Sequence, residues 1–208
     1  MIKNLLIATL VGACGLVHAT TINAPASLIG ANVLNGNDAY SWGISIAVPN
    51  GQVITSAQID FTSIQLTASG NSAGTGELYT DLLNSKATGV TTAVDNDAAG
   101  DYWATQYSGA NITTIGAKAF AAVGTTLTWS YVLTASELTA LNSYLAAGTF
   151  NIGIDPDCHF SVGGLDFTYT LGTPKTNSVP DDFSTAFLMI FGLAGLAIVR
   201  RQLVPAKA

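Results

Sequence analysis

Polar and apolar residues alternate along several stretches of the chain. Because a strand sends successive side chains to opposite faces, this alternation predicts strands that have one face in a core. Turn-forming residues separate the stretches, as in the Pro-Asn-Gly run at residues 49–51. The predicted strands are residues 40–48, 53–66, 77–84, 126–133, 149–154 and 165–171.

Residues 53–66 form the longest predicted strand, and their alternation is not continuous. Ala57, Ile59 and Phe61 share one face, but the phase changes at residues 62–63. An extra residue in one strand of a pair restores the inward direction of the side chains that follow it. The pattern therefore predicts a bulge or bend at residues 62–63.

One segment has the period of a helix instead. Thr134 and Glu137 have the spacing of a capping box, which marks the start of a helix. Leu138, Leu141 and Leu145 then form an apolar stripe along one side. Many short strands with one short helix predict an all-β fold, either an antiparallel β-sandwich or a jelly roll.

The N-terminal residues 1–19 have the parts of a secretory signal peptide. Lys3 supplies the positive charge, residues 5–11 are apolar, and residues 17–19 offer a cleavage site. The apolar run is too short to be a membrane span, so we expect a mature chain that begins at Thr20. Small residues before Cys14 leave lipidation of that cysteine as the alternative.

Composition restricts the functions open to the middle of the chain. Residues 20–178 contain eleven acids and three bases, a net formal charge of −8, which argues against binding to a phosphate backbone. Residues 20–171 are long enough for one ectodomain with its own core. Cys158 is the one cysteine in this range, so no internal disulfide is expected.

A polar linker at residues 172–178 leads to a tail at residues 179–208. In this tail, residues 183–199 carry no charge, and as a helix they would span about 26 Å, close to the hydrocarbon thickness of a membrane. Arg200 and Arg201 follow this segment, which predicts a transmembrane helix with its N-terminal end outside and its C-terminal end inside. A buried core helix is the alternative.

A short Val-Pro-Asp motif lies before the apolar segment of the tail, and the two arginines lie after it. This arrangement resembles the PEP-CTERM sorting signal of Gram-negative, exopolysaccharide-producing bacteria. The most similar variant reads Val-Pro-Asp-Ser-Gly, and the chain departs from it at Asp182 and Phe183. The matching residues are Val179, Pro180, Asp181, Arg200 and Arg201.

The resemblance implies a route to the cell surface. In that family a membrane-embedded exosortase recognises the motif, cuts near it, and releases the protein or transfers it to the surface or matrix. Pro180 disfavours helix before the span, which suits a motif that a protease binds in extended form. Residues 77–84, 95–103 and 138–160 also resemble the ectodomain of an uncharacterised group of PEP-CTERM proteins, which implies a shared β-sandwich fold and no known activity.

Two runs of aspartates suggest a cation site. Alternate aspartates near a glycine supply hard oxygen ligands, which suit Ca²⁺, if both runs meet at one end of the sandwich. The first run begins like an EF-hand loop, but Gln106 replaces the acid at its twelfth position. Turns that cap strand ends, or a softer metal on Asp157 and His159, are the alternatives. The candidate calcium ligands are Asp95, Asp97, Asp101, Asp155 and Asp157.

No catalytic site is predicted. Cys158 and His159 are adjacent, and adjacent side chains of an extended chain point apart, so they do not suit a thiolate–imidazolium pair. Cys158 is predicted to be a small buried hydrophobe. Tyr102, Trp103 and Tyr107 remain as aromatic residues that would stack on sugars if they were exposed.

These patterns predict an exported, non-enzymatic protein of the cell surface or extracellular matrix. Its expected partners are an exosortase-type membrane protease, the membrane itself through the C-terminal helix, and exopolysaccharide or other envelope components. A secreted hydrolase of polysaccharide is one alternative, and it would need two acids facing each other across a cleft. A permanently anchored single-span envelope protein is the other.

Overall fold

The computed structural model describes residues 18–68, 75–95 and 100–174. Within these ranges the chain forms two antiparallel sheets and two short α-helices, so the predicted all-β class is confirmed. The helices are α1 (Tyr102–Gln106) and α2 (Ala135–Leu145). The strands are β1 (Ala19–Asn23), β2 (Gly30–Leu34), β3 (Asp38–Ser45), β4 (Val53–Ala68), β5 (Gly76–Leu83), β6 (Gly89–Val94), β7 (Ile112–Phe120), β8 (Thr126–Val132), β9 (Thr149–Pro156), β10 (His159–Val162) and β11 (Gly164–Gly172).

Several predicted features lie outside the described residues. They include residues 1–17 of the signal peptide, the linker from residue 175 onward, and the apolar segment at residues 183–199. Within the described ranges, no helix has the length and apolar character needed to cross a membrane. The predicted site residues that lie outside these ranges are Asp97, Val179, Pro180, Asp181, Arg200 and Arg201.

The first sheet is built around β4. On one side β4 pairs with β11 and then with β10. Strand β11 pairs in turn with β1, and β10 pairs with β2. On its other side β4 pairs with β8. The second sheet has the strand order β6-β3-β9-β5-β7, and all of its pairings are antiparallel.

The phase change predicted in β4 is confirmed. Between Phe61 and Ile64, β4 shifts its register against β8. Ser63 has a φ of 50°, which is unusual for a residue with a side chain. The segment between β10 and β11 passes close to this point: a Cβ on Gly163 would lie 2.7 Å from the Cβ of Ser63. The bulge therefore turns the second half of β4 so that its apolar residues again face the core.

The core lies between the two sheets, where aromatic rings from opposite sheets touch. Phe150 of β9 packs against Phe167 of β11 with ring centroids 5.2 Å apart, and Phe120 of β7 packs against Phe160 of β10 at 4.9 Å. All four side chains are buried, and burial of each contributes about 1.5–3 kcal/mol. Cys158 is buried in the same core, as predicted for a small hydrophobe.

Helix α2 covers the edge of β4 beyond the end of β8. The predicted capping box is confirmed: the Thr134 side chain accepts from the N–H of Glu137, and the Glu137 carboxylate accepts from the N–H of Thr134 at 2.6 Å. Asn142 donates to the carbonyl of Ile54 at 2.9 Å and accepts from its N–H at 2.8 Å. The amide of Asn142 thus takes the place of a neighbouring strand and satisfies the edge of β4.

Candidate functional site

The central strands of the second sheet, β5 and β9, carry an aspartate each on the face that points away from the main core. Leu78 and Leu82 of β5 lie in the main core, so Asp81 extends from the opposite face. In β9, Ile154 lies in the core and Asp155 extends from the other face. Both aspartates are nevertheless 0% exposed, which is rare for a carboxyl group.

The strand register brings these two aspartates close together. Asp81 lies opposite Gly153, and Tyr79 lies opposite Asp155. Asp81 and Asp155 are therefore diagonal neighbours on one face of an antiparallel pair of strands. The Cα atoms of such neighbours are about 7–8 Å apart. Gly153, which lies beside Asp155 in the strand, adds no side chain to this face.

Helix α1 covers the aspartate pair. Asp101 caps the start of the helix, since its Oδ1 atom accepts from an N–H of the first turn at 3.2 Å. The N–H of Tyr102 donates to the Oδ2 atom of Asp155 at 2.7 Å. Trp103 then lies directly over Gly153, where a Cβ would be 2.8 Å from the indole Cδ1 atom. A glycine at this position leaves the space that the indole fills.

Trp103 belongs to a small apolar cluster that is separate from the main core. The other fully buried members are Ala39 and Leu83, and Tyr102 and Tyr107 pack against them. Trp103 is only 6% exposed, so the sugar-stacking role that the sequence left open does not fit its indole ring. The cluster instead holds α1 against the outer face of the second sheet.

Burial changes the ionisation of both aspartates. Loss of solvation is the main cause of the raised pKa of Asp155, which lies at about 7. The hydrogen bond from α1 opposes this rise, whereas the charges of Asp95, Asp157 and Asp101 add to it. Burial likewise raises the pKa of Asp81 well above its ordinary value, with repulsion from Asp101 and Asp155 as a further cause.

The carboxylate oxygens of the pair are poorly satisfied. Neither oxygen of Asp81 has a hydrogen-bond partner among the described residues, and the same holds for the Oδ1 atom of Asp155. The Thr114 hydroxyl and the Asp101 carboxyl lie near enough to influence the pKa of Asp81 without meeting the geometry of a hydrogen bond. Since a buried polar group without a partner destabilises a fold by about 1–3 kcal/mol, such groups call for an explanation.

The structure describes four of the five candidate calcium ligands. Asp95, Asp101 and Asp157 each act electrostatically on Asp155, whereas Asp97 lies outside the described residues. In the part of the chain that the structure describes, no group of three or more acidic, His or Cys side chains is placed to hold a metal ion. The calcium set taken from the sequence therefore stays a prediction.

Asp81 is the site residue that sequence analysis missed. Its segment was correctly predicted as a strand, and β5 extends from Gly76 to Leu83. The strand is buried on both faces at its end, where Asp81, Leu82 and Leu83 are all inaccessible. A charged residue next to two leucines inside a strand was the available signal, but it does not reveal the pairing with β9.

Cys158 and His159 do not form a catalytic pair. Cys158 is buried and its thiol donates to the carbonyl of Thr75 at 3.5 Å, while His159 is exposed at the start of β10. Their side chains therefore lie in different environments, as expected for neighbours in an extended chain.

Comparisons with protein-family models and curated sequences give no independent guide to this site. No protein-family model matches the chain, and no curated protein matches its sequence. What the chain does must therefore be inferred from its own residues.

Proposed function

We propose that this chain is an exported, non-enzymatic protein of the cell surface or extracellular matrix of a Gram-negative bacterium. In this proposal residues 1–19 direct export, and residues 183–199 hold the chain in the membrane with the sandwich outside. An exosortase-type protease then processes the chain near Val179–Asp181. The sandwich contacts exopolysaccharide or other envelope components.

The pairing of β1 with β11 is the observation that best supports this proposal. Ala19 lies opposite Thr170, so β1 begins at the end of the sheet where β11 finishes at Gly172. Every described strand and helix lies between Ala19 and Gly172. Cleavage after Ala19 and cleavage near Val179 would therefore both leave these elements in place, apart from the first residue of β1.

The position of the acid pair supports a non-enzymatic role over a polysaccharide hydrolase. A glycoside hydrolase uses two carboxyl groups that both reach the sugar, one on each side of the bond that is cut. Asp81 and Asp155 instead share one face, have no exposed surface, and lie beneath α1. A sugar has no access to them while α1 stays bound.

Substitution at the sorting motif tests the proposal. In the native host, the wild-type chain and a Lys175→Ala control in the linker should both give a shortened form in the surface or medium fraction. Asp181→Ala should instead accumulate uncut in the membrane fraction. Normal cutting of Asp181→Ala would contradict the proposed motif. If the wild type, Lys175→Ala and Asp181→Ala all stay uncut in the membrane fraction, the result would favour the permanently anchored alternative.

A further inference from the structure

Asp81 and Asp155 form a buried pair of acidic side chains on one face of the second sheet. Among the described residues, the charges that raise their pKa values come from other carboxyl groups: Asp101 and Asp155 act on Asp81, and Asp95, Asp157 and Asp101 act on Asp155. Isolated carboxylates are strongly disfavoured in a protein interior unless a proton, a base or a metal ion compensates their charge. The pair therefore needs a positively charged partner whenever it is ionised.

The unsatisfied oxygens indicate where that partner would bind. Asp81 is completely buried, and neither of its oxygens has a hydrogen-bond partner in the described ranges. The Oδ1 atom of Asp155 also has none there, while its Oδ2 atom is held by the N–H of Tyr102. Two aspartates on adjacent strands, about 7–8 Å apart, can reach a single ion between them.

We propose that Asp81 and Asp155 together bind one divalent cation of the hard, oxygen-binding class, with Ca²⁺ as the preferred ion. Calcium takes six to eight oxygen ligands, and neutral oxygens and water contribute to such shells. Two charged ligands are therefore sufficient, and the site does not require three converging carboxylates. The Thr114 hydroxyl beside Asp81 is one neutral oxygen within the site.

This site differs from the calcium set predicted from the sequence. It is centred on Asp81, which that set did not contain, and it needs neither Asp95 nor Asp97. Three further acids, Asp95, Asp101 and Asp157, lie within electrostatic range of Asp155 and attract a cation through their charge. The site does not depend on the proposed export route, so the two proposals can fail separately.

Calcium titration of the purified full-length chain tests this inference. After treatment with a chelator, added Ca²⁺ should raise the melting temperature of the wild type in proportion to the logarithm of its concentration. Terbium, which occupies calcium sites, should bind next to Trp103 and show luminescence that is excited through the indole and removed by excess Ca²⁺. The Trp103→Phe variant should lose this luminescence and keep the thermal response.

Variants of the pair give the matched comparison. Asp81→Asn and Asp155→Asn should each weaken Ca²⁺ binding at least about tenfold. Asp166→Asn, on the outer face of the first sheet, should bind Ca²⁺ like the wild type. If neither acid variant folds, the wild-type response still decides: a wild-type chain with no thermal shift and no terbium luminescence overturns the proposal. Equal binding by folded Asp81→Asn and the wild type overturns it as well.

Discussion

The backbone N–H of Tyr102 donates to the Oδ2 atom of Asp155 at 2.7 Å, which ties helix α1 to the central strand β9. This bond and the packing of Trp103 on Gly153 place a short helix over a face of the sheet that would otherwise meet solvent. The carboxyl group of Asp155 is therefore buried and hydrogen-bonded through one oxygen. For this reason its ionisation and the stability of the domain are linked.

Stability of the domain should fall as pH rises from about 4 to about 7 in the presence of a chelator. The pKa of Asp155 is raised from 3.8 to about 7 in the folded chain, so the folded state holds a proton that the unfolded state has released. Folding stability therefore decreases with pH across this window, and it continues to fall above it because the pKa of Asp81 is also raised in the folded chain. Urea denaturation at several pH values measures the slope.

Asp155→Asn provides the control for this pH dependence. An amide cannot ionise, and it still accepts from the N–H of Tyr102, so the slope between pH 4 and pH 7 should become smaller. A wild-type slope that is flat or rises with pH would show that burial of Asp155 does not control stability.

Gly153→Ala should destabilise the domain by about 1–3 kcal/mol, because the new Cβ would lie 2.8 Å from the indole of Trp103. Thermal melting gives the change in stability, and tryptophan emission reports displacement of the ring. In the double variant with Trp103→Ala, the clash is removed, so the two effects should be less than additive. Full additivity would mean that Trp103 does not rest on Gly153.

Glu137→Ala should destabilise the domain by about 1–3 kcal/mol. The carboxylate closes the capping box at the N–H of Thr134 and also accepts from the Tyr131 hydroxyl at 2.7 Å. Burial and Glu137 together raise the pKa of Tyr131 to about 12. Spectroscopic titration of the tyrosines should show one phenol that ionises at a lower pH in the variant, whereas an unchanged titration would exclude this contact.

Asn142→Ala should destabilise the domain by about 1–3 kcal/mol because it leaves the N–H and carbonyl of Ile54 without their side-chain partner. Ser143→Ala is the matched control, since Ser143 is exposed on the same helix and should change stability by less than about 0.5 kcal/mol. Equal stabilities of the two variants in urea denaturation would show that the hydrogen bonds between Asn142 and Ile54 do not stabilise the domain.

Local sequence patterns predicted those parts of the fold that depend on near neighbours. The phase change in β4 at Ser63 and the capping box of α2 at Thr134 and Glu137 each involve residues close in the chain, and both were found as predicted. The strand β3 ends at Ser45 rather than Val48, a small difference at a boundary.

The candidate site was harder to predict because it depends on contacts between distant segments. Asp81 and Asp155 meet through the pairing of β5 with β9, and no feature of either segment specifies that pairing. Helix α1 was missed because its five residues are too few to show a helical period. Its position follows from Trp103 and Gly153, which pack together only in the folded chain.

The mass of the mature protein from its native host is the most direct test of the proposed export and processing. Cleavage at both ends predicts an N-terminus at Thr20 and a C-terminus near Val179 in the surface or matrix fraction. A surface protein that still contains residues 1–19, or that retains the whole tail to Ala208, would contradict it.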